Sequence, residues 1–190
     1  MEKVFITDKV IEKLDFTQVP LEFGEYEQCK FIHCNFSSIS LAGFNFSDCE
    51  FINCNLSLAN INKTSFRDVK FKDCKLLGLH FNDCNPFMFN ANFENCFLNL
   101  SSFYKLKMKG IKFISCSMHE VDFSETDLSA ALFDKCDLSN ALFETTLLEK
   151  ADFRTSYNYS LDPEKNKIKK AKFSHEGIAG LLGKYDIIIE

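Results

Sequence analysis

From Phe16 onward every fifth residue is large and apolar: Phe16, Leu21, Tyr26, Phe31, Phe36, Leu41, Phe46, and so on without exception to Phe81. The count slips by two within residues 82–91, resumes at Met88, and runs through Phe93, Leu98, Phe103 and Met108 to Phe153. Two residues before each centre stands a small or apolar residue, such as Cys34, Ala59, Val69, Cys96, Thr126 or Ala131. The residue between these two slots is mostly polar, as in Asn35, Asn45, Asn55, Asn60, Asp122, Asp127, Asp137 and Asp152. A period of five fits neither the 3.6 of a helix nor the 2 of a flat strand. It holds one in-out-in alternation followed by two polar residues that turn a corner. Four such sides close a square coil, and the coils stack at the strand spacing of about 4.8 Å. Residues twenty apart then form columns down the tube, as with Phe31, Phe51 and Phe71, or Cys96, Cys116 and Cys136.

This pattern accounts for two oddities of composition, 22 phenylalanines without a tryptophan and nine cysteines. All nine cysteines fall in the small inward slot. Their odd number, with no export signal, argues for reduced core spacers and against a disulfide framework. No apolar run reaches the length of a membrane span, and the first ten residues lack the apolar core of a signal peptide. The expectation is a soluble, cytoplasmic protein. A net charge of −5 argues against direct nucleic-acid binding. His33, His80, His119 and His175 lie far apart in sequence, and every cysteine points inward. Zinc spacing, a phosphate loop and a nucleophile elbow are all missing. No enzyme activity, cofactor, metal site or small-molecule substrate is expected.

The ends depart from the period. Residues 1–15 are expected to cap the rod and residues 16–156 to form it, leaving 157–190 as a C-terminal module. In that module Ser174 is placed to N-cap a short helix running to Leu182 and stopped at Gly183, with a strand from Asp186 to Glu190. The module either folds back on the last coil or pairs across a two-fold axis, making a homodimer through Ile178, Leu181, Leu182, Ile187, Ile188 and Ile189.

Charge is banded along the chain. Between Glu120 and Asp152 nine acids face two lysines, a local charge of −7. Upstream lie two basic runs, Lys63, Arg67, Lys70, Lys72 and Lys75, then Lys105, Lys107, Lys109 and Lys112. Charges on such a rod ordinarily serve as a solvated face, and some are expected to be neighbours only, as Asp134 and Arg154 in one column.

Ala151-Asp152-Phe153-Arg154-Thr155 and Thr126-Asp127-Leu128-Ser129-Ala130 carry a family pattern: a small residue, Asp or Asn, Leu or Phe, then two polar residues. From about Leu14 to Thr155 the chain resembles the pentapeptide-repeat proteins. That resemblance implies an all-β fold, a right-handed quadrilateral β-helix, here with a short C-terminal helix and strand. More narrowly, the chain is similar to the topoisomerase-protecting branch, the Qnr-type quinolone-resistance proteins and the immunity protein against a gyrase-poisoning microcin. The features in common are the length, Leu76-Leu77-Gly78 before Asn85-Pro86-Phe87, the segment Leu161 to Ile168, and the glycine-rich ending before Ile189. The implied mechanism is DNA mimicry, in which a head-to-head dimer offers an acidic rod to the DNA-binding saddle of gyrase or topoisomerase IV.

On position and charge, Asp122, Glu125, Asp127, Asp134 and Asp137 are the candidate partner-binding face. Asn85, Pro86, Phe87, Met88 and Phe89 sit at the slip, where they either touch the partner or plug the core. A dimer of rods spans roughly 70 Å, a length over which duplex DNA carries about 40 phosphate charges. The dimer itself carries −10, twice −5. Mimicry must therefore rest on a local acidic surface. The alternative is a structural or interaction scaffold with an unrelated protein partner.

Overall fold

Parallel rungs, each made by the chain returning to the same face one turn later, build the rod from Val4 to Lys172. The structure, a computed structural model, describes residues 3–87 and 89–188. On the first face, β1 (Val4–Thr7), β3 (Gly24–Glu27), β5 (Asn45–Ser47) and β7 (Ser65–Arg67) pair in that order. On the second face seven strands pair in turn: β2 (Val10–Glu12), β4 (Lys30–Ile32), β6 (Glu50–Ile52), β8 (Val69–Lys72), β9 (Ala91–Glu94), β10 (Lys112–Ile114) and β11 (Leu132–Asp134). Single bridges such as Asn35↔Asn55 and Ser40↔Asn60 mark the third and fourth faces. Every pairing is parallel, as a right-handed β-helix requires.

The predicted columns are the core. Phe31, Phe51, Phe71, Phe93, Phe113, Phe133, Phe153 and Phe173 stack with ring centroids 4.6 to 5.4 Å apart. This is the coil spacing itself, so rings with identical orientation pack without any change of rotamer. All nine cysteines are free and buried. Seven of the thiols donate to carbonyls of the neighbouring coil, as Cys54 Sγ does to Phe31 O at 3.2 Å. Burial pushes the Cys49 thiol up to about 12.

Corners follow from two devices. The residue two after most centres adopts a left-handed conformation, with φ near +55° at Gln28, Asp48, Asp73, Asn95 and Lys135. That conformation is unfavourable for residues with a Cβ. Where Asn or Asp stands just before the centre it often compensates: its side-chain oxygen accepts a hydrogen bond from the N–H two residues on. Asp122 Oδ1 takes the Ser124 N–H at 2.9 Å, Asp127 Oδ1 that of Ser129 at 2.9 Å, and Asp137 Oδ1 that of Ser139 at 3.2 Å. Asn35, Asn55, Asn60 and Asn85 repeat the arrangement. These are Asx turns, which is why Asn and Asp hold that slot.

The slip is narrower than residues 82–91. Asn85 still matches Ser65, through a 3.1 Å bond from its amide nitrogen to the serine hydroxyl. By Val69↔Ala91 and Phe71↔Phe93 the offset is twenty-two. The two extra residues therefore lie between Asn85 and Ala91.

Both ends differ from the expected division. Ile6 and Ile11 already occupy centre positions, and β1 and β2 pair in register with β3 and β4, so the first coil begins at Val4. At the other end, 3-10 turns over Glu176–Leu181 and Gly183–Tyr185 replace the expected helix. Gly177, Gly180 and Gly183 recur every third residue, which a three-residue turn stacks along one edge. A Cβ at Gly177 would collide with the Tyr159 hydroxyl, and one at Gly180 with the Tyr159 carbonyl oxygen. Ser174 Oγ does accept the Gly177 N–H at 3.0 Å, as a cap should. The expected terminal strand does not form over Asp186–Ile188, where Asp186 turns left-handed with φ of 50°. Ile189 and Glu190 lie outside the described residues.

Candidate interaction surfaces

The five acids singled out in the sequence surround the rod. Asp122 bridges Ser102 and Leu142 on the fourth face, and Glu125 occupies the next corner. Asp127 bridges Lys107 and Leu147 on the first face. Asp134 ends β11 on the second, and Asp137 bridges Ser117 and Tyr157 on the third. One turn of chain thus places carboxylates on four sides, a belt and not a strip.

Several of these acids have partners within the chain. Glu125 meets Lys105 at 3.4 Å and accepts the Tyr104 hydroxyl at 2.8 Å. Asp134 accepts the Thr155 hydroxyl at 2.7 Å. Arg154, expected beside Asp134, turns instead to Asp152 in its own rung at 2.8 Å, where the two-residue spacing gives it two carboxylate oxygens. Asp137 Oδ2 lies 2.9 Å from His119 Nε2, and its other oxygen accepts from Ser139 and Asn158. Burial pushes the Asp137 carboxyl up, but the hydrogen bonds from Ser139, Asn158 and His119 outweigh it and hold the group down at about 2. Glu144 pairs with Lys165, and Asp152 also with Lys172. Glu120, Asp122 and Asp127 form no ion pair among the described residues.

At the slip the loop divides its aromatics. Phe89 is buried, edge-on to Phe81 at 6.0 Å, and fills the core. Phe87 stands out into solvent at 76% exposure, carried on an Asx turn closed by Asn85. Pro86 precedes it, and Met88 lies outside the described residues.

Sequence reasoning passed over an apolar patch on the third face. Leu58, 67% exposed, leans over Gly78, and Leu100 and Phe97 lie in the next rung, 60% and 52% exposed. The signal was there: Leu58 and Leu100 occupy corner slots, and Phe97 the slot that Asn or Asp holds elsewhere. Of the proposed dimer residues, Ile178, Ile187 and Ile188 are exposed, whereas Leu181 and Leu182 are half-buried, Leu181 packing against the core. Ile189 lies outside the described residues. Among the described residues no cluster of His, Cys, Asp and Glu is arranged to hold a metal, and no helix is long and apolar enough to cross a membrane.

The family model for the pentapeptide repeat region matches residues 24–86, and that for pentapeptide repeats in eight copies matches 122–156, together half of the chain. The chain belongs to the pentapeptide-repeat family. Among solved structures, this pentapeptide-repeat chain is similar to full-length QnrB1, a plasmid-mediated fluoroquinolone resistance protein, at 18% identity over 97% of this chain and 100% of that one, with a TM-score of 0.47. It is similar also to HetL, a pentapeptide-repeat protein involved in heterocyst differentiation regulation from a Nostoc cyanobacterium, at 17% identity over 88% and 86% of the two chains, with a TM-score of 0.47. No curated protein matches it in sequence.

Proposed function

We propose that this pentapeptide-repeat rod is a non-enzymatic cytoplasmic protein that binds a type II topoisomerase, DNA gyrase or topoisomerase IV, as a DNA mimic and protects it from a quinolone or peptide poison. The observation that carries this reading is the belt. Glu120, Asp122 and Asp127 present carboxylates without a cationic neighbour among the described residues, and Asp134 and Asp137 extend the ring to the remaining faces. A DNA-binding saddle grips a duplex from more than one side, and a belt offers charge to each wall, where a single strip offers it to one. A head-to-head dimer through Ile178, Ile187 and Ile188 lengthens the rod and covers its apolar end.

Gyrase supercoiling with purified protein, with and without a quinolone or microcin poison, is the test. The decisive variant is Asp122→Asn, Asp127→Asn and Asp137→Asn together, because asparagine keeps each Asx turn and removes only the charge. Rescue by the native protein, lost in the folded variant, supports topoisomerase protection through the belt. Equal rescue by both assigns the acids to the turns alone.

A second reading is an interaction scaffold for an unrelated protein, favoured by the Leu58, Phe97 and Leu100 patch. Exposed apolar side chains gathered on one side of the rod in this way mark a protein contact. If Leu58→Ser with Leu100→Ser leaves protection intact, that patch serves another partner.

A further inference from the structure

One column on the second face alternates in charge. Down the slot before each centre run Lys30, Glu50, Lys70, Asn92, Lys112, Leu132, Asp152 and Lys172. Glu50 pairs with Lys30 at 3.1 Å and with Lys70 at 3.4 Å, and Asp152 lies 3.7 Å from Lys172. The alternation calls for an acid between Lys70 and Lys112, and the chain supplies Asn92. Lys112 is left between an amide and Leu132, with no ion pair among the described residues. Around the corner Lys109 is likewise unpaired among them. The corner itself is Gly110, φ +75°, with nothing within 4 Å of where its Cβ would stand.

These lapses coincide in space. A cavity of about 550 Å³ opens here, lined by Lys70, Asn92, Lys109, Lys112 and the aliphatic faces of Ile52 and Ile114. It lies beside the register slip, where the coil has been lengthened by two residues. Glu50 and Glu94 also line it and hold Lys70 and Lys72 at 3.4 and 2.9 Å. The site thus offers two ammonium groups without an ion pair among the described residues, Lys109 and Lys112, beside the Asn92 amide and an apolar floor.

We propose that this notch binds an acidic side chain of a short peptide segment in a partner protein. The carboxylate takes the place in the column that Asn92 leaves uncharged, between Lys70, Lys109 and Lys112, and an adjacent apolar side chain rests on Ile114. Charge complementarity selects the class of partner. Glu50 and Glu94 border the notch, and the acidic belt begins further down the rod, so a continuous phosphate backbone crossing the site meets like charge on leaving it. A single carboxylate beside an apolar residue does not. This inference is independent of the topoisomerase reading, since it uses none of the belt residues.

The test is fluorescence anisotropy on the full chain with a fluorescein-labelled hexapeptide alternating glutamate and leucine. Saturable binding is expected, weakened about 10-fold or more by Lys109→Glu with Lys112→Glu. Asn92→Glu, which completes the column from within, is expected to weaken it by a similar factor. Lys169→Glu with Lys170→Glu changes the net charge equally at the far end and is expected to leave affinity within about two-fold. Melting curves establish that each variant is folded. The proposal is overturned if the peptide does not saturate, if the distant pair of substitutions weakens binding as much as the near pair, or if a short labelled duplex DNA binds the same lysines more tightly than the peptide.

Discussion

The coils around the register slip and the uninterrupted coils after it share one interior and differ in their exteriors. Across the slip, Phe71 stacks on Phe93 at 5.3 Å and Phe81 on Phe103 at 4.6 Å, much as Phe113 stacks on Phe133 at 5.2 Å further down. The two extra residues leave these columns intact, because they are taken up on the first face between Asn85 and Asn90, where the sheet ends at β7 and Phe89 fills the gap. Outside, the slip ejects Phe87 and adjoins the place where the lysine–acid column lapses. The insertion interrupts one face and leaves the stacking on the second and fourth faces in step, so novelty collects on the surface while those columns stay periodic.

This contrast can be broken at several depths. Phe113→Ala removes a ring held between Phe93 and Phe133 and is expected to cost about 3–5 kcal/mol in urea unfolding. At the slip, Phe89→Ala is expected to cost about 2–3 kcal/mol and Phe87→Ala less than about 0.5 kcal/mol. Equal costs for the two would refute the division of the loop into plug and protrusion. In the uninterrupted coils, Asp127→Ala deletes a turn bond and is expected to cost about 1 kcal/mol, while Asp127→Asn stays within about 0.5 kcal/mol of native.

The smallest effect is one of acidity. Asp137 titrates at about 2 in the folded chain and near 3.9 when unfolded, so folding favours its carboxylate form. Its contribution is complete above about pH 4 and is lost as pH falls toward 2. Because the group is partly exposed, the loss is expected to stay below about 1 kcal/mol. Denaturation series at pH 5 and pH 2.5 should show a decrement that Asp137→Asn lacks.

Much of this was legible because a period of five leaves no other way to bury twenty-eight large centres. The columns, the cysteine slots and the existence of a slip followed from spacing alone. That the five acids encircle the rod was also contained in the spacing, since Asp122, Asp127 and Asp137 stand five or ten apart and each five residues is a new face. What each acid would bond to was not. Arg154 could reach either Asp134 or Asp152, and only side-chain geometry settles on the nearer one. At the C-terminus, apolar periodicity predicted a helix, but the glycines recur every third residue, with Gly177 and Gly180 held tight against Tyr159, and the chain takes 3-10 turns. At the N-terminus Ile6 and Ile11 pair in register with Tyr26 and Phe31, so the segment expected to cap the rod stacks on it as a coil.

The left-handed corner at every fifth residue gives each position two coordinates, an angle around the rod and a height along it. Deleting five residues changes the height of everything downstream by about a quarter of a rung and its angle by a quarter turn. Removing residues 116–120 would therefore swing Asp122, Glu125, Asp127, Asp134 and Asp137 by a right angle relative to the lysine notch at almost unchanged distance, with the loss of Glu120 and His119. A lineage could re-aim one surface against another in a single step, at the cost of setting Leu138 over Phe113 where Phe133 now stacks.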